Sequence, residues 1–379
     1  MIQPISFITG VFYKHIAKPI LFKVPPDTVH EHLLHVGVRT QRSNLLRKLL
    51  RSSWAYQNPK QLKQTIHNIT FRNPVGLSAG FDKNFVLPPL MNAIGFGFME
   101  GGSITFESCD GNPKPWFYRL PKSKSLVVHA GLANEGVKTI IKRLQNFPGS
   151  QVADFPINIS VAKTNSPKTS SDGNAIADYV GCLRAIRHSR QGDMITINIS
   201  CPNTFGGEPF TTPTRLERLL TAIDAVHLRQ PVFIKMPSSI KWSDFNNLLQ
   251  VIAKHHVAGL TIGNLVKDQT KTAPGEHIPA SVKGGLSGKP TWETTNELIH
   301  RTRQTYGDRF IIIGVGGIFS AKDAYEKIKL GANLVELITG MVFEGPQLIG
   351  QISHGLGILL KKDGFTHISQ AVGTAPPRS

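Results

Sequence analysis

Cys201 lies in the run Ile197-Asn198-Ile199-Ser200-Cys201-Pro202-Asn203-Thr204 and is the side chain best placed for acid–base chemistry. A thiol has a reference pKa of about 8.5 and is readily tuned downward. It can therefore take a proton from an activated carbon as a general base. A buried, inert thiol is the ordinary fate of a lone cysteine. The polar company of Asn198, Asn203 and Thr204 favours the reactive reading. Asn158, in an Ile-Asn-Ile-Ser run, and Asn264 stand at the ends of other apolar runs. Any one of these asparagines could simply cap a helix. Four gathered at one place would instead offer amides to a heterocycle with alternating carbonyl and N–H groups, because amides both donate and accept.

Two lysines extend this set. Lys83 follows Gly76-Leu77-Ser78-Ala79-Gly80-Phe81-Asp82, whose small residues would let a flat ring lie against the backbone beside a cation. A tight turn with a surface lysine is the plainer alternative. Lys235 interrupts the apolar run Val-Phe-Ile-Lys-Met. Such a charge is costly unless it meets an anion, and an electron-rich cofactor would supply one. The alternative is a lysine that snorkels outward. Gly314-Val315-Gly316-Gly317-Ile318 and Ile338-Thr339-Gly340-Met341 are glycine turns whose free N–H groups suit a phosphate. Gly284-Gly285-Leu286-Ser287-Gly288 adds a third such segment.

The elements that must position these residues follow from periodicity. From about residue 70, short apolar runs alternate with helix-period stretches. The strands are predicted over 74–77, 96–104, 155–160, 194–200, 232–236, 259–264, 310–315 and 334–339. Helices are predicted over 134–146, 176–189, 215–226, 243–255, 292–306 and 321–330. Buried strands followed by helices mean parallel βα units. Eight units over about 300 residues predict an α/β fold, a closed (β/α)8 TIM barrel. An open doubly wound sheet is the alternative, and the first strand lacks the GxGxxG turn it would carry. In a barrel, chemistry sits at the C-terminal strand ends, where the residues above are expected.

Residues 1–55 are predicted to form a small helical extension, and 56–379 the barrel. Asp27, after Pro25-Pro26, is read as a helix N-cap. Val29, Leu33, Leu34 and Val36, and then Leu45, Leu46, Leu49 and Leu50, recur at helical spacing. Lys14, His15, Lys18 and Lys23 flank the apolar residues of the first segment. Such a unit can lie on a membrane surface or simply pack on the barrel. No run of about 18 apolar residues exists, so no membrane-spanning helix is expected. The start also lacks a secretory pattern.

The 379 residues carry 43 Lys and Arg against 25 Asp and Glu, a net charge of +18. That balance favours anionic partners. No basic run or basic–aromatic stripe is present, which argues against nucleic acid. Cys109, Cys182 and Cys201 are far apart and form no CxxC pair. A disulfide framework, a zinc site and an iron–sulfur cluster are therefore not expected, and a reducing compartment is the simpler setting.

Taken together, these segments resemble the dihydroorotate dehydrogenase family. The matching pieces are NPVGLSAGFDKN (73–84), GNPKPWFYRL (111–120), INIS (157–160), INISCPNT (197–204), IKM around Lys235, GGLSGKP (284–290), IIIGVGGI (311–318) and LVELITGMVFEGPQLI (334–349). The likeness runs from about residue 12 to 350, and the N-terminal helices resemble those of the membrane-associated, quinone-using class 2. The resemblance implies FMN held by Ser78, Ala79, Ser103, Asn158, Asn198, Lys235, Gly288, Gly317, Thr339 and Gly340. It implies dihydroorotate, or a similar small cyclic substrate, against Lys83, Asn198, Asn203 and Asn264, with Cys201 as base. His30 and Arg119 fall where class 2 places residues near the quinone. The implied reaction removes the C5 proton of dihydroorotate, moves a hydride from C6 to FMN, and passes the electrons to a quinone, a step of pyrimidine biosynthesis. The implied location is peripheral, on the cytoplasmic face of the cell membrane, or on the inner mitochondrial membrane in a eukaryote. No metal and no nucleic acid are implied.

Some positions depart from the family pattern. Cys201 stands where class 2 typically has serine; cysteine is typical of soluble class 1. Val128-His129-Ala130-Gly131-Leu132-Ala133 replaces the substrate-binding NRxGFN segment. Leu265 replaces a threonine after Asn264, and Ile338 replaces a tyrosine. Two further readings therefore stand beside the first. One is a related FMN oxidoreductase acting on a different cyclic amide or enone. The other is a non-catalytic paralogue that binds FMN or membrane.

Overall fold

The eight apolar runs fold as strands with almost every residue buried, as a parallel sheet covered on both faces requires. They are β1 (Val75–Leu77), β2 (Phe98–Ile104), β3 (Ile157–Val161), β4 (Met194–Asn198), β5 (Val232–Met236), β6 (Gly259–Ile262), β7 (Ile311–Val315) and β8 (Leu334–Leu337). In this computed structural model, which describes residues 4–57, 60–200 and 207–376, the strands close into one barrel in chain order. Every neighbouring pair is parallel, and β8 pairs back onto β1.

Parallel neighbours need long crossovers, and here these are helices packed on the barrel's outer face. The helix Trp292–Tyr306 has the expected bounds. Asp172–Ser189, Pro213–Asp224, Trp242–Ile252 and Ala321–Lys329 differ from expectation by a few residues. Ser171 and Ser320 set two of these helix starts, each accepting a backbone N–H from inside the first turn. Beside the barrel mouth lies a small antiparallel sheet: Phe117–Leu120 pairs with Ser125–Val128, whose other edge takes Gly285–Leu286.

The N-terminal segment is helical as expected, in four pieces: α1 (Pro4–Phe12), α2 (Lys18–Leu21), α3 (Pro26–Arg42) and α4 (Asn44–Trp54). A π-helical turn, Tyr13–Ala17, joins the first two. Asp27 does not cap α3. Pro25 holds that position, and Asp27 lies inside the first turn. Its buried carboxylate instead accepts the backbone N–H groups of Trp116 at 2.9 Å and Phe117 at 3.3 Å. Asp27 thus fastens α3 to the small sheet. Asp27→Ala strips both N–H groups of their acceptor and should cost about 1–3 kcal/mol of stability in chemical denaturation. A loss under about 0.5 kcal/mol would mean that the extension is held elsewhere.

Two further contacts tie the extension down. Tyr13 donates its hydroxyl to Val342 O at 2.6 Å, and Glu344 binds both Lys14 and Lys124. Gly37 brings α3 close to the barrel: a Cβ there would fall 2.7 Å from Leu87 Cδ2 and 3.0 Å from Leu90 Cδ2. The outer side of the extension is apolar. Among the described residues, every exposed large apolar side chain except Ile358 lies between Ile5 and Leu49. No helix among the described residues is long and apolar enough to cross a membrane.

Candidate active site

At the mouth of the barrel, the side chains that end the strands hold one another in place. Asn198 closes β4, where Tyr179 donates its hydroxyl to the Asn198 carbonyl at 2.7 Å. The Asn198 amide donates to Ser103 Oγ at 2.9 Å, and Ser103 Oγ lies 2.8 Å from Ser160 Oγ. Asn264 follows β6, and its amide donates to the Ser200 carbonyl at 2.6 Å and to Ser200 Oγ at 2.7 Å. Amides fixed in this way lose little conformational freedom when a ligand arrives.

Lys235 is buried near the end of β5. Its ammonium finds an anion within the protein, since Nζ lies 3.6 Å from Glu100 Oε1, and Glu100 is fully buried. A bound electron-rich group is therefore not the sole answer to its charge. Asn158 also departs from expectation. It is the second residue of β3, not the last, because the strand runs on through Ser160 to Val161. Its side chain sits in the barrel interior and donates to Thr196 Oγ1 at 2.8 Å and to Glu100 Oε2 at 3.3 Å. Asn158 Oδ1 is buried without a hydrogen-bond partner.

Two cavities open on these residues. The smaller, about 100 Å³, is lined by Ser78, Ala79, Lys235, Gly288, Gly317, Thr339 and Gly340, among others. Gly288 and Gly317 have φ of 72° and 73°, backbone that side chains disfavour. Thr339 Oγ1 lies 2.9 Å from Ser287 Oγ. The larger cavity, about 600 Å³, runs from the barrel mouth to the N-terminal helices. Ser103, Asn198, Lys235, Asn264 and Lys83 line its barrel end, and His30 and Arg119 its helical end.

Burial sets the charge states along this larger cavity. Lys83 stacks over Trp116 at 5.0 Å and Phe117 at 5.3 Å. Burial pulls its ammonium down to about 8, although Asp27 and Asp82 work the other way. His30 lies edge-on to Phe81 and Phe117. Burial, helped by the Lys83 charge, holds it at about 4, so it is neutral at physiological pH. Arg119 stacks on Phe22 at 4.7 Å and donates to Val24 O at 2.6 Å. Burial lowers its guanidinium and raises the Tyr13 hydroxyl nearby to about 12. Val128, Leu132 and Leu265 give the same cavity an apolar wall.

The expected residues thus converge, with two qualifications. Asn158 lines neither cavity and lies one layer deeper, while Cys201 and Asn203 fall outside the described residues. Sequence reading passed over Glu100, Glu336 and the anchoring role of Asp27. The first two did carry a signal, a carboxylate inside an otherwise apolar strand. Asp27 had only a local one, because its partners lie far along the chain.

A model of the dihydroorotate dehydrogenase family matches residues 61–360. The chain belongs to the dihydroorotate dehydrogenase family. Within that family it is class 2-like. Its relatives include proteins named dihydroorotate dehydrogenase (quinone) from Acaryochloris marina, 31% identical over 95% of this chain and 99% of the relative. Another, from a Cyanothece species, is 32% identical over 93% of this chain and 96% of its own. Eimeria tenella DHODH, solved in complex with ferulenol, shares the fold, with a TM-score of 0.79 at 24% identity over 92% of this chain and 95% of that one. The positions that depart from the family pattern, Val128, Leu265 and Ile338, all line the larger cavity.

Proposed function

We propose that this chain oxidises dihydroorotate to orotate with bound FMN and delivers the electrons to a quinone. The observation that carries the reading is the single cavity lined at one end by Lys83, Asn198 and Asn264 and at the other by His30 and Arg119. The family is flavin-dependent, and the residues present fit FMN. Lys235, which lines both cavities, offers a cation, and the glycine-lined smaller cavity suits the phosphate end. Ser78, Ala79, Ser103 and Asn198 would complete the holding set, with Gly288, Gly317, Thr339 and Gly340 around the phosphate.

Bound FMN supplies the hydride acceptor and the store of electrons for the second half-reaction. The chain's own residues bind, orient and move the proton. Lys83 faces the substrate carboxylate, and Asn198, Asn203 and Asn264 hold the ring amides. Cys201 takes the C5 proton. His30 and Arg119 flank the quinone, which enters among the helices of residues 1–55, while residues 56–379 form the flavin-binding barrel. The exposed apolar side chains between Ile5 and Leu49, with Lys14, Lys18 and Lys23 beside them, support peripheral contact with a membrane. On this reading the protein works at the cytoplasmic face of the cell membrane, or at the inner mitochondrial membrane in a eukaryote.

The apolar wall of Val128, Leu132 and Leu265 supports a second reading, oxidation of a different cyclic amide or enone. Anaerobic mixing decides between the two. Saturating dihydroorotate should bleach the flavin, and a quinone should restore its colour faster than fumarate or NAD. Absence of bleaching ends the first reading, and faster recovery with NAD removes its acceptor.

A further inference from the structure

We propose that Glu336 and Glu100 share one proton inside the barrel, so that Lys235 faces the cofactor against a single negative charge. The cofactor clause rests on the reading above. The proton itself does not.

Both carboxyls are fully buried, Glu100 on β2 and Glu336 on β8. Glu100 is well served. Its Oε2 accepts from Asn158 and from Thr196, each at 3.3 Å, and its Oε1 faces Lys235 Nζ at 3.6 Å. Glu336 is not. Neither of its oxygens meets full hydrogen-bond geometry, and the polar side chains within reach of it are Ser78 and Glu100 itself. The charged groups that face it are Glu100 and Lys235, while its register partners on β1 and β7 are Gly76 and Val315.

Two ionised carboxylates against one ammonium would leave a surplus charge on groups that water does not reach. Burying a charge without donors costs far more than burying an acid. A proton on Glu336 removes that charge and gives Glu336 a donor toward Glu100. Burial and the Glu100 charge both push the Glu336 carboxyl well above the usual carboxylate range, and Lys235 opposes them. Two adjoining carboxyls that cannot both ionise behave as a pair with one proton between them.

The trio is then electrically neutral. Lys235, which lines both cavities, presents a cation whose charge is cancelled once, not overcancelled. Glu336 acts through Glu100 and Lys235 and is a positioning residue. Its replacement by glutamine should be nearly silent, because the amide mimics the protonated acid.

The test uses infrared spectra and flavin potentials of the full chain near neutral pH. The wild type should show a protonated-carboxyl carbonyl band that shifts in deuterium oxide. Glu336→Gln should remove it. Glu100→Gln should remove it too, since Glu336 then ionises against Lys235. Each single variant should change the ratio of reduced to oxidised FMN affinity less than about threefold. The double variant, which leaves Lys235 unopposed, should favour reduced FMN by about tenfold or more, about 30 mV for a two-electron couple. The proposal falls if the wild type lacks the band, if the band survives either substitution, or if one single variant alone gives the tenfold change. It falls equally if the double variant shows no more than the singles. A chain that holds no FMN would end the functional reading and leave the infrared result standing.

Discussion

Cys201→Ala should slow the reduction of bound flavin by dihydroorotate by about 10²–10⁴-fold, the usual contribution of a positioned base. Substrate affinity should change far less. Lys83, Asn198 and Asn264 line the larger cavity and are the groups proposed to bind the substrate, so the effect of removing the base belongs in the rate at saturation. Cys201→Ser should recover part of the activity and need a higher pH, because a hydroxyl gives up its proton less readily than a thiol. Stopped-flow measurement of flavin bleaching over a range of dihydroorotate concentrations separates the two terms. A loss below about tenfold at saturation would take the base assignment away from Cys201.

Lys83 should give dihydroorotate binding a pH limit. Burial brings its ammonium down to about 8. The protonated form pairs with the substrate carboxylate, so affinity is fully present below that value. Above it, the dissociation constant should rise about tenfold per pH unit as the proton is lost. Lys83→Arg should abolish the limit, since a guanidinium stays charged throughout. Lys83→Met should cost about 2–5 kcal/mol of binding, or about 30-fold to several thousandfold in affinity. Flavin-perturbation titrations from about pH 6 to about 10 would show the break, and a flat wild-type profile would refute it. His30 offers an internal control. Held at about 4, it should contribute no ionisation near neutrality to reoxidation by quinone.

Periodicity placed the eight strands because parallel barrel strands are buried on both faces and read as continuous apolar runs, as Val232–Met236 does. Their ends were harder to place. Polar Ser160 was read as the close of β3, yet the strand continues to Val161 because the interior accepts hydroxyls that bond one another, as Ser160 and Ser103 do. That shift moved Asn158 from the mouth to the interior. Asp27 was misread for a related reason. Helix-start signals are local, whereas its carboxylate is used by Trp116 and Phe117 some ninety residues away. Glu100 and Glu336 showed only as exceptions within apolar strands, since nothing in one dimension reveals that β2 and β8 both turn a carboxyl toward Lys235. The Gly316-Gly317 turn was legible at once, because positive φ leaves few residue choices; Gly340 instead sits in the first turn of a helix, Thr339–Glu344, where the close approach of Ile318 O leaves no room for a side chain.

Gly37 has a consequence for resistance to blockers. With no side chain, it lets α3 rest on Leu87 and Leu90, and all three residues line the larger cavity. The approach of α3 to Leu87 and Leu90 at that point of the cavity is therefore set by one missing methyl group. A flat aromatic compound wedged there would depend on a spacing that Gly37→Ala alters, while Lys83, Asn198 and Asn264 at the barrel end of the cavity stay as they were. Escape from such a compound needs no change in the chemistry, only a slightly wider helix.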